Sequence, residues 1–171
     1  MILFLGQTAF TQKFMSRNVQ VKFLSETPIE DIDATNDQVS SLFDTSTGQI
    51  VFQVPIRGFH FEIALMEEHF NENYMESEEF PNSTLQGKIE NWEEVKSEGG
   101  DVVVVGELTI HGITVNRSFD GNIKVEDGNW IVQSEFAVNA EDFGIKIPKI
   151  VRGQIAETIV VMVEGILTPR K

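Results

Sequence analysis

The sequence predicts an all-β protein of about eight antiparallel strands, with one short helix near residues 63–72. Three observations favour this fold class. Apolar residues recur at every second position, glycine-containing turns separate the alternating runs, and few segments break the period. Evenly spaced short strands are typical of a closed barrel or of a sandwich, and the spacing does not choose between these two architectures.

The alternating runs can be followed along most of the chain. The clearest is QIVFQVPI at 49–56, which places Ile50, Phe52, Val54 and Ile56 on one face. The other predicted strands are 18–24, 40–43, 59–63, 84–92, 101–112, 130–138 and 158–167. Turns containing Gly48, Gly100 and Gly128 lie between neighbouring runs, where glycine can adopt a positive φ.

Two segments break the period of two. In IALMEEHFNE, at 63–72, Met66 and Phe70 are four residues apart and would share one face of a short helix. Asn71 and Asn73 are suited to ending that helix and turning the chain. The second break, at 139–148, predicts a turn or a single helical turn.

Composition limits the possible partners. A chain of 171 residues fits one domain, and its net charge of −14 repels nucleic acid and anionic lipid head groups. The absence of cysteine excludes disulfides, thiolate metal sites and cysteine nucleophiles. No run reaches the eighteen or so apolar residues of a membrane span. The sequence leaves open whether the chain forms a homodimer.

The first twelve residues differ from the rest. Residues 1–5 are apolar and 6–12 are small and polar, which resembles the second half of a secretory signal peptide without its basic start. We therefore expect residues 1–12 to be a signal-peptide remnant and 13–171 to be the single domain.

The acidic stretch EEHFNENYMESEEFP, at 67–81, is the strongest candidate for reactive chemistry. His60, His69 and His111 lack the spacing of a helical zinc site, and the glutamates lack the spacing of a calcium loop. No nucleophile elbow, phosphate loop or dinucleotide fingerprint is present. We expect a solvated acidic face, with no metal, cofactor or catalytic residue, although the sequence does not exclude two carboxylates facing each other across a barrel.

The interior of such a fold could be filled or hollow. Thirteen Phe residues against one Tyr predict a dry, apolar inside. A barrel of about eight strands can fill itself with side chains or hold one small ligand, and periodicity does not distinguish a filled core from a cavity.

Several motifs together resemble the YceI-like polyisoprenoid-binding family. They are LMEEHFNENYMESEEFP, TLQGKI, GELTIHGIT and DFGIKIP, in the family's order, and the resemblance extends from about Gln20 to Leu167. The family's usual opening is absent, and NVQVKFLS at 18–25 stands in its place. The resemblance implies a lipocalin-like antiparallel barrel, a periplasmic or secreted protein, and a long isoprenoid or other apolar lipid as partner.

These expectations lead to a predicted binding site inside the barrel. The residues predicted to contribute to the interior wall are Phe52, Val54, Phe59, Phe61, Leu108, Ile110, Phe136 and Val138. The residues predicted to lie over one end are Met66, Phe70, Tyr74 and Met75. Methionine adapts its shape most easily, so this end is expected to move when a ligand enters. The alternative is a structural or interaction barrel with a filled core.

Overall fold

The computed structural model describes residues 12–170, so all but the last residue of the expected signal remnant lies outside the described residues. The strands are β1 (Lys13–Glu26), β2 (Asp31–Asp44), β3 (Gln49–Pro55), β4 (His60–Phe61), β5 (Asn82–Ile89), β6 (Gly99–Ile110), β7 (Ile113–Glu126), β8 (Asn129–Asn139) and β9 (Thr158–Pro169). Two short helices, α1 (Ala64–His69) and α2 (Trp92–Val95), lie outside the sheet. Neither has the length and apolar character needed to cross a membrane.

The eight long strands close into an antiparallel barrel. Neighbours around it follow the order β1-β9-β8-β7-β6-β5-β3-β2, and β1 also pairs with β2, which completes the ring. The two-residue strand β4 pairs with Ala34 and Thr35 of β2, beyond the point where β3 leaves that strand. The predicted fold class is therefore confirmed, and the barrel replaces the sandwich alternative.

One strand of the barrel was not predicted. Strand β7, ITVNRSFDGNIKVE, pairs with β6 along nearly its whole length. The pairing begins with Ile110 opposite Ile113 and ends with Gly99 opposite Lys124. Its alternation is interrupted by Arg117 and Gly121 on the inward face, and Asp-Gly-Asn at 120–122 imitates a turn. Conversely, the predicted strand 59–63 is reduced to His60–Phe61, so the two errors offset each other in the strand count.

The short helix is present where the sequence predicts it, but it continues further. Helix α1 passes directly into a π-helical turn at Phe70–Tyr74. The asparagines at 71 and 73 therefore lie within the helical segment, and the chain turns only after Met75. At the second predicted break, Ala140–Phe143 forms a single 3₁₀ turn that Asn139 caps by accepting a hydrogen bond from the amide of Glu141.

A buried asparagine sets the path of the chain where β3 leaves the sheet. Asn36 donates from Nδ2 to the carbonyl of Pro55 at 2.8 Å and accepts from the amide of Gln38 at 2.9 Å. Gly58 follows in the next turn, where a Cβ would lie 2.7 Å from the Asn36 Oδ1 atom. This close approach leads the chain over the barrel end and towards α1.

The opposite end of the barrel is closed by three aromatic rings. Ring centroids lie 5.1 Å apart for Phe43 and Trp92, 5.5 Å for Phe43 and Trp130, and 5.6 Å for the two tryptophans. All three side chains are buried, and the Trp92 indole donates to the carbonyl of Thr45 at 3.0 Å. Aromatic packing of this kind gives the barrel a solid base.

This base predicts a graded effect of substitution at Trp92. Trp92→Ala should lower the free energy of unfolding by about 3–5 kcal/mol, because it removes a large buried ring. Trp92→Phe should cost about 1–2 kcal/mol, because the ring packing survives and only the indole hydrogen bond and some volume are lost. Urea unfolding followed by circular dichroism measures both, and equal losses for the two variants would contradict this view of the base.

Candidate functional site

The upper part of the barrel encloses a cavity of about 390 Å³. This lies within the range of roughly 300–1,000 Å³ found for ligand pockets. All eight long strands border the cavity, mostly through side chains of one face, and β2 does so only through Ile32 near its start. Three residues of the opposite face, Thr84, Asp120 and Gln133, also border it. The barrel is therefore solid at the aromatic base and hollow above it, which argues against a completely filled core.

The cavity wall contains all twelve residues that the sequence predicts for the site. They are Phe52, Val54, Phe59, Phe61, Met66, Phe70, Tyr74, Met75, Leu108, Ile110, Phe136 and Val138. Strand alternation explains the placement of the seven that lie in β3, β4, β6 and β8. The other five lie outside the strands, at position 59 and between positions 66 and 75. Their role in binding stays a prediction, since geometry alone establishes only that they line the space.

Other wall residues were missed by sequence reasoning. The main ones are Val21 and Phe23 of β1, Phe119 and Ile123 of β7, and Val161 and Val163 of β9. Those of β7 were missed with the strand itself. In β1 the period-2 pattern was a usable signal, because the polar Lys22 separates Val21 from Phe23. In β9 it was not, because residues 159–163 are all apolar and the sequence does not show which of them face inwards.

Four phenylalanines form a cluster at the open end of the cavity. Phe70, from the π-helical turn, lies 5.4 Å from Phe23, 5.6 Å from Phe59 and 5.1 Å from Phe61, measured between ring centroids. Phe23 in turn lies 5.3 Å from Phe59 and 5.6 Å from Phe61. Phe70 thus connects the helical segment above the barrel to rings from β1 and β4, and the cluster forms one side of the cavity's entrance.

The segment from residue 64 to residue 81 covers part of this end, and we call it the lid. The sequence predicts that its glutamates form a solvated acidic face, but one of them, Glu67, makes a structural contact. The Glu67 carboxylate accepts a hydrogen bond from the amide of Phe61 at 3.1 Å and lies 3.7 Å from the His60 Nδ1 atom. Tyr74 lies at the cavity, and partial burial raises the pKa of its hydroxyl above the ordinary value.

A histidine joins the lid to the rest of the barrel. The Nε2 atom of His111 lies 2.6 Å from the Glu76 carboxylate, and its Nδ1 atom lies 3.2 Å from the carbonyl of Phe143. Because both partners are acceptors, both bonds form only when the ring carries two protons. The ring also packs edge-on against Phe80, at 4.6 Å. His111 therefore holds the lid, the β6–β7 turn and the 140–143 turn together.

The wall has a seam between β7 and β8. These strands pair from Glu126–Asn129 only as far as Gly121–Ser134, so residues 113–120 of β7 have β6 alone as a sheet neighbour. Phe119 and Phe136 cover the inside of the seam at 4.8 Å, and the buried Phe143 packs beside them. The Arg117 guanidinium stacks over the first two rings, at 5.3 and 5.9 Å.

Polar groups are a minority of the cavity lining, and the hydroxyls of two serines among them are already bonded to backbone groups. The Ser25 hydroxyl accepts from the amide of Ala156 at 2.9 Å, and the Ser134 hydroxyl donates to the carbonyl of Asp120 at 2.6 Å. Within residues 12–170, the carboxylates bordering the cavity are those of Glu30 in the β1–β2 turn and Asp120 on the outward-facing register of β7. Because Asp120 is on the outward register and Glu30 is in a turn, these two are not a pair of inward-facing strand carboxylates of the kind that glycoside hydrolysis needs. No cluster of three potential metal-ligating side chains was found in the same part of the chain.

The His111 contacts generate a prediction with a matched control on the lid. Glu76→Gln should lower the free energy of unfolding by about 1–2 kcal/mol and speed amide exchange in residues 64–81, because it removes a charge-assisted bond to a mostly buried ring. Glu78→Gln should change stability by less than about 0.5 kcal/mol, because the Glu78–Arg57 pair is exposed. Equal behaviour of the two variants in hydrogen-exchange mass spectrometry would contradict a locking role for His111.

Comparison with solved structures shows the same fold in distant proteins. A polyisoprenoid-binding domain from Saccharophagus degradans, implicated in plant cell wall breakdown, matches with a TM-score of 0.78 at 13% identity, over 94% of this chain and 100% of that one. BcnA from Burkholderia cenocepacia matches with a TM-score of 0.74 at 12% identity, over 88% of this chain and 96% of that one. The Campylobacter jejuni YCEI protein matches with a TM-score of 0.60 at 15% identity, over 100% and 92%.

Comparison at the level of sequence assigns the family. No curated protein matches the chain. The family model described as the YceI-like domain matches residues 9–166, which include every strand of the barrel except the last three residues of β9 and contain the whole cavity wall. This agrees with the resemblance carried by the lid, the TIHGIT turn and the DFGIKIP turn. The chain therefore belongs to the YceI-like family.

Proposed function

We propose that this protein binds one long apolar lipid, a polyprenyl chain or the tail of a quinone, inside the barrel. The observation that carries the proposal is the cavity itself, which is apolar along its depth, solid at its base and open at one end. Membership of the YceI-like family and the likeness to a domain described as polyisoprenoid-binding support the same ligand class.

The energetics favour such a ligand. Each buried methylene contributes roughly 0.8 kcal/mol, so a few isoprene units can bind well without polar contacts, even after the cost of ordering the chain. The walls supply rings and branched aliphatic side chains, which exclude water but leave gaps that a flexible chain can fill. Selectivity then comes from chain length and shape.

The proposed site of action is outside the cytoplasm, in the periplasm or beyond. The composition of residues 1–12 motivates this proposal, and the motifs that resemble the family imply the same location. An antibody against residues 13–171 should detect the protein in the periplasmic or secreted fraction of the cells that naturally produce it, with an N-terminus near residue 13, and recovery in the cytoplasmic fraction would contradict the proposal.

Blocking the cavity should abolish lipid uptake while an adjacent substitution leaves it intact. Val104 borders the cavity and Val105, the next residue, faces solvent on the same strand. Val104→Trp should reduce uptake of a polyprenyl alcohol by about tenfold or more, because the indole occupies the volume of the chain. Val105→Trp should bind like the wild type.

The measurement is titration of delipidated protein with the polyprenyl alcohol, followed by organic extraction and mass spectrometry of the washed complex. Thermal unfolding of both variants shows whether either has lost its fold. Failure of the wild-type protein to retain the lipid above the level of an unrelated barrel would overturn the proposed function and favour the structural barrel.

A second substitution tests the phenylalanine cluster at the entrance. Phe70→Ala should speed release of the bound lipid by about tenfold and lower stability by roughly 2 kcal/mol, because Phe70 packs on three other rings and is only partly exposed. Glu68→Gln, on the exposed side of the same helix, should change neither quantity. A large loss of function in Glu68→Gln would instead indicate chemistry at the acidic face.

A further inference from the structure

The exposed apolar side chains of this protein are concentrated at the open end of the barrel. The large hydrophobic residues exposed at that end are Ile29, Ile63, Leu65, Ile113 and Ile150, and we call them the apolar rim. The others exposed within residues 12–170, Val51, Val105, Val125 and Ile166, are dispersed over the barrel wall and around the base. The three highest exposures, 92% for Ile150, 71% for Ile29 and 57% for Leu65, all belong to the rim.

The rim residues come from neighbouring connections around the entrance. Ile29 is at the tip of the β1–β2 turn, and its Cδ1 atom would lie 3.0 Å from a Cβ on Gly153 in the β8–β9 connection, which also carries Ile150. Ile113 begins β7, and its Cδ1 atom lies close to Gly144 at the start of the same connection. The connection is thus the centre of the rim, with Ile63 and Leu65 beyond β2.

The rim is continuous with the cavity lining. In the β8–β9 connection, Ile147, Val151 and Ile155 border the cavity, whereas Ile150 between them is directed to solvent. Likewise Ile32 borders the cavity three residues after the exposed Ile29. An apolar molecule leaving the cavity at this end would therefore meet apolar side chains all the way to the surface.

We propose that the apolar rim inserts into the surface of an electrically neutral lipid bilayer, from which the ligand passes into the cavity. This inference rests on the proposed function, since an isoprenoid lipid resides in membranes and is too insoluble to arrive through water. Isolated exposed apolar residues are ordinary, but a group of them around the mouth of an apolar cavity marks an interaction surface.

The charges around the rim select neutral lipid over anionic lipid. The β1–β2 turn carries Glu30 and is flanked by Glu26 and Asp31, and the lid adds further glutamates. In the β8–β9 connection the charge of Arg152 is balanced by Glu141 and Glu157, each 3.7 Å away. The other cations of that connection are Lys146 and Lys149. Because the whole protein carries a net charge of −14, these two lysines do not overcome its repulsion from an anionic head-group layer. Insertion of the isoleucines therefore supplies the attraction.

The experiment measures transfer of a fluorescent polyprenyl alcohol from phosphatidylcholine vesicles to the delipidated full chain. The variant is Ile29→Ser with Ile150→Ser, and the matched control is Val125→Ser with Ile166→Ser, which removes exposed apolar side chains far from the entrance. We expect the wild-type transfer rate to rise with protein concentration, to fall by about tenfold in the rim variant, and to be unchanged in the control. Phosphatidylglycerol added to the vesicles should slow transfer.

Delivery of the same probe from ethanol separates the two proposals. The rim variant should reach the same final occupancy as the wild type by this route, because the cavity is intact. If the wild type takes up no probe from ethanol or vesicles, the proposed function fails. If it binds the probe but the rim variant accepts it from vesicles at the wild-type rate, or anionic vesicles donate faster, the membrane-docking inference alone is overturned.

Discussion

Closure of the sheet through β1 is the constraint on which the rest of the structure depends. Because β1 bonds to β2 on one edge and to β9 on the other, the sheet has no free edge across these strands, and one face of every long strand is turned inwards. The parity of each strand then decides whether a side chain faces water or the interior. The cavity is a consequence of that closure, since the side chains above the aromatic base do not fill the ring.

The two ends of the barrel are built differently, and the difference gives the cavity a direction. At the base, Phe43, Trp92 and Trp130 pack ring against ring, with the indole of Trp92 bonded to the backbone. At the other end the cover is a helical segment held by Phe70 on the inside and by the Glu76–His111 contact on the outside. Separating the few side-chain contacts that hold the lid costs less free energy than disrupting a buried aromatic base. We therefore expect local opening to occur at the lid.

Much of this could be predicted from the sequence, and the failures have physical causes. Alternation predicted the wall residues that lie in strands, such as Phe52, Leu108 and Phe136, because parity follows directly from the pleat of a strand. The four predicted residues between positions 66 and 75 came instead from helical spacing and from the family resemblance. Alternation missed β7, where Arg117 and Gly121 occupy inward positions, and it shortened β1, which carries bulges between Ser16 and Val21. The contact between Glu76 and His111 joins residues 35 apart, and no local pattern encodes such a long-range pairing.

The distribution of polar groups indicates how such a cavity would distinguish one lipid from another. The hydroxyls of Ser25 and Ser134 are already bonded to backbone groups, so they offer little to a head group deep in the barrel. Of the remaining polar groups, Tyr74, His69 and Gln154 lie towards the entrance, and Gln133 borders the cavity partway along β8. Under the proposed function the tail would therefore enter first and the head group would stay near the lid. Discrimination by depth and shape suits a ligand class whose members differ mainly in chain length. Each added methylene increases the binding free energy as long as it is buried against the wall, and this gain ends where the chain reaches the aromatic base.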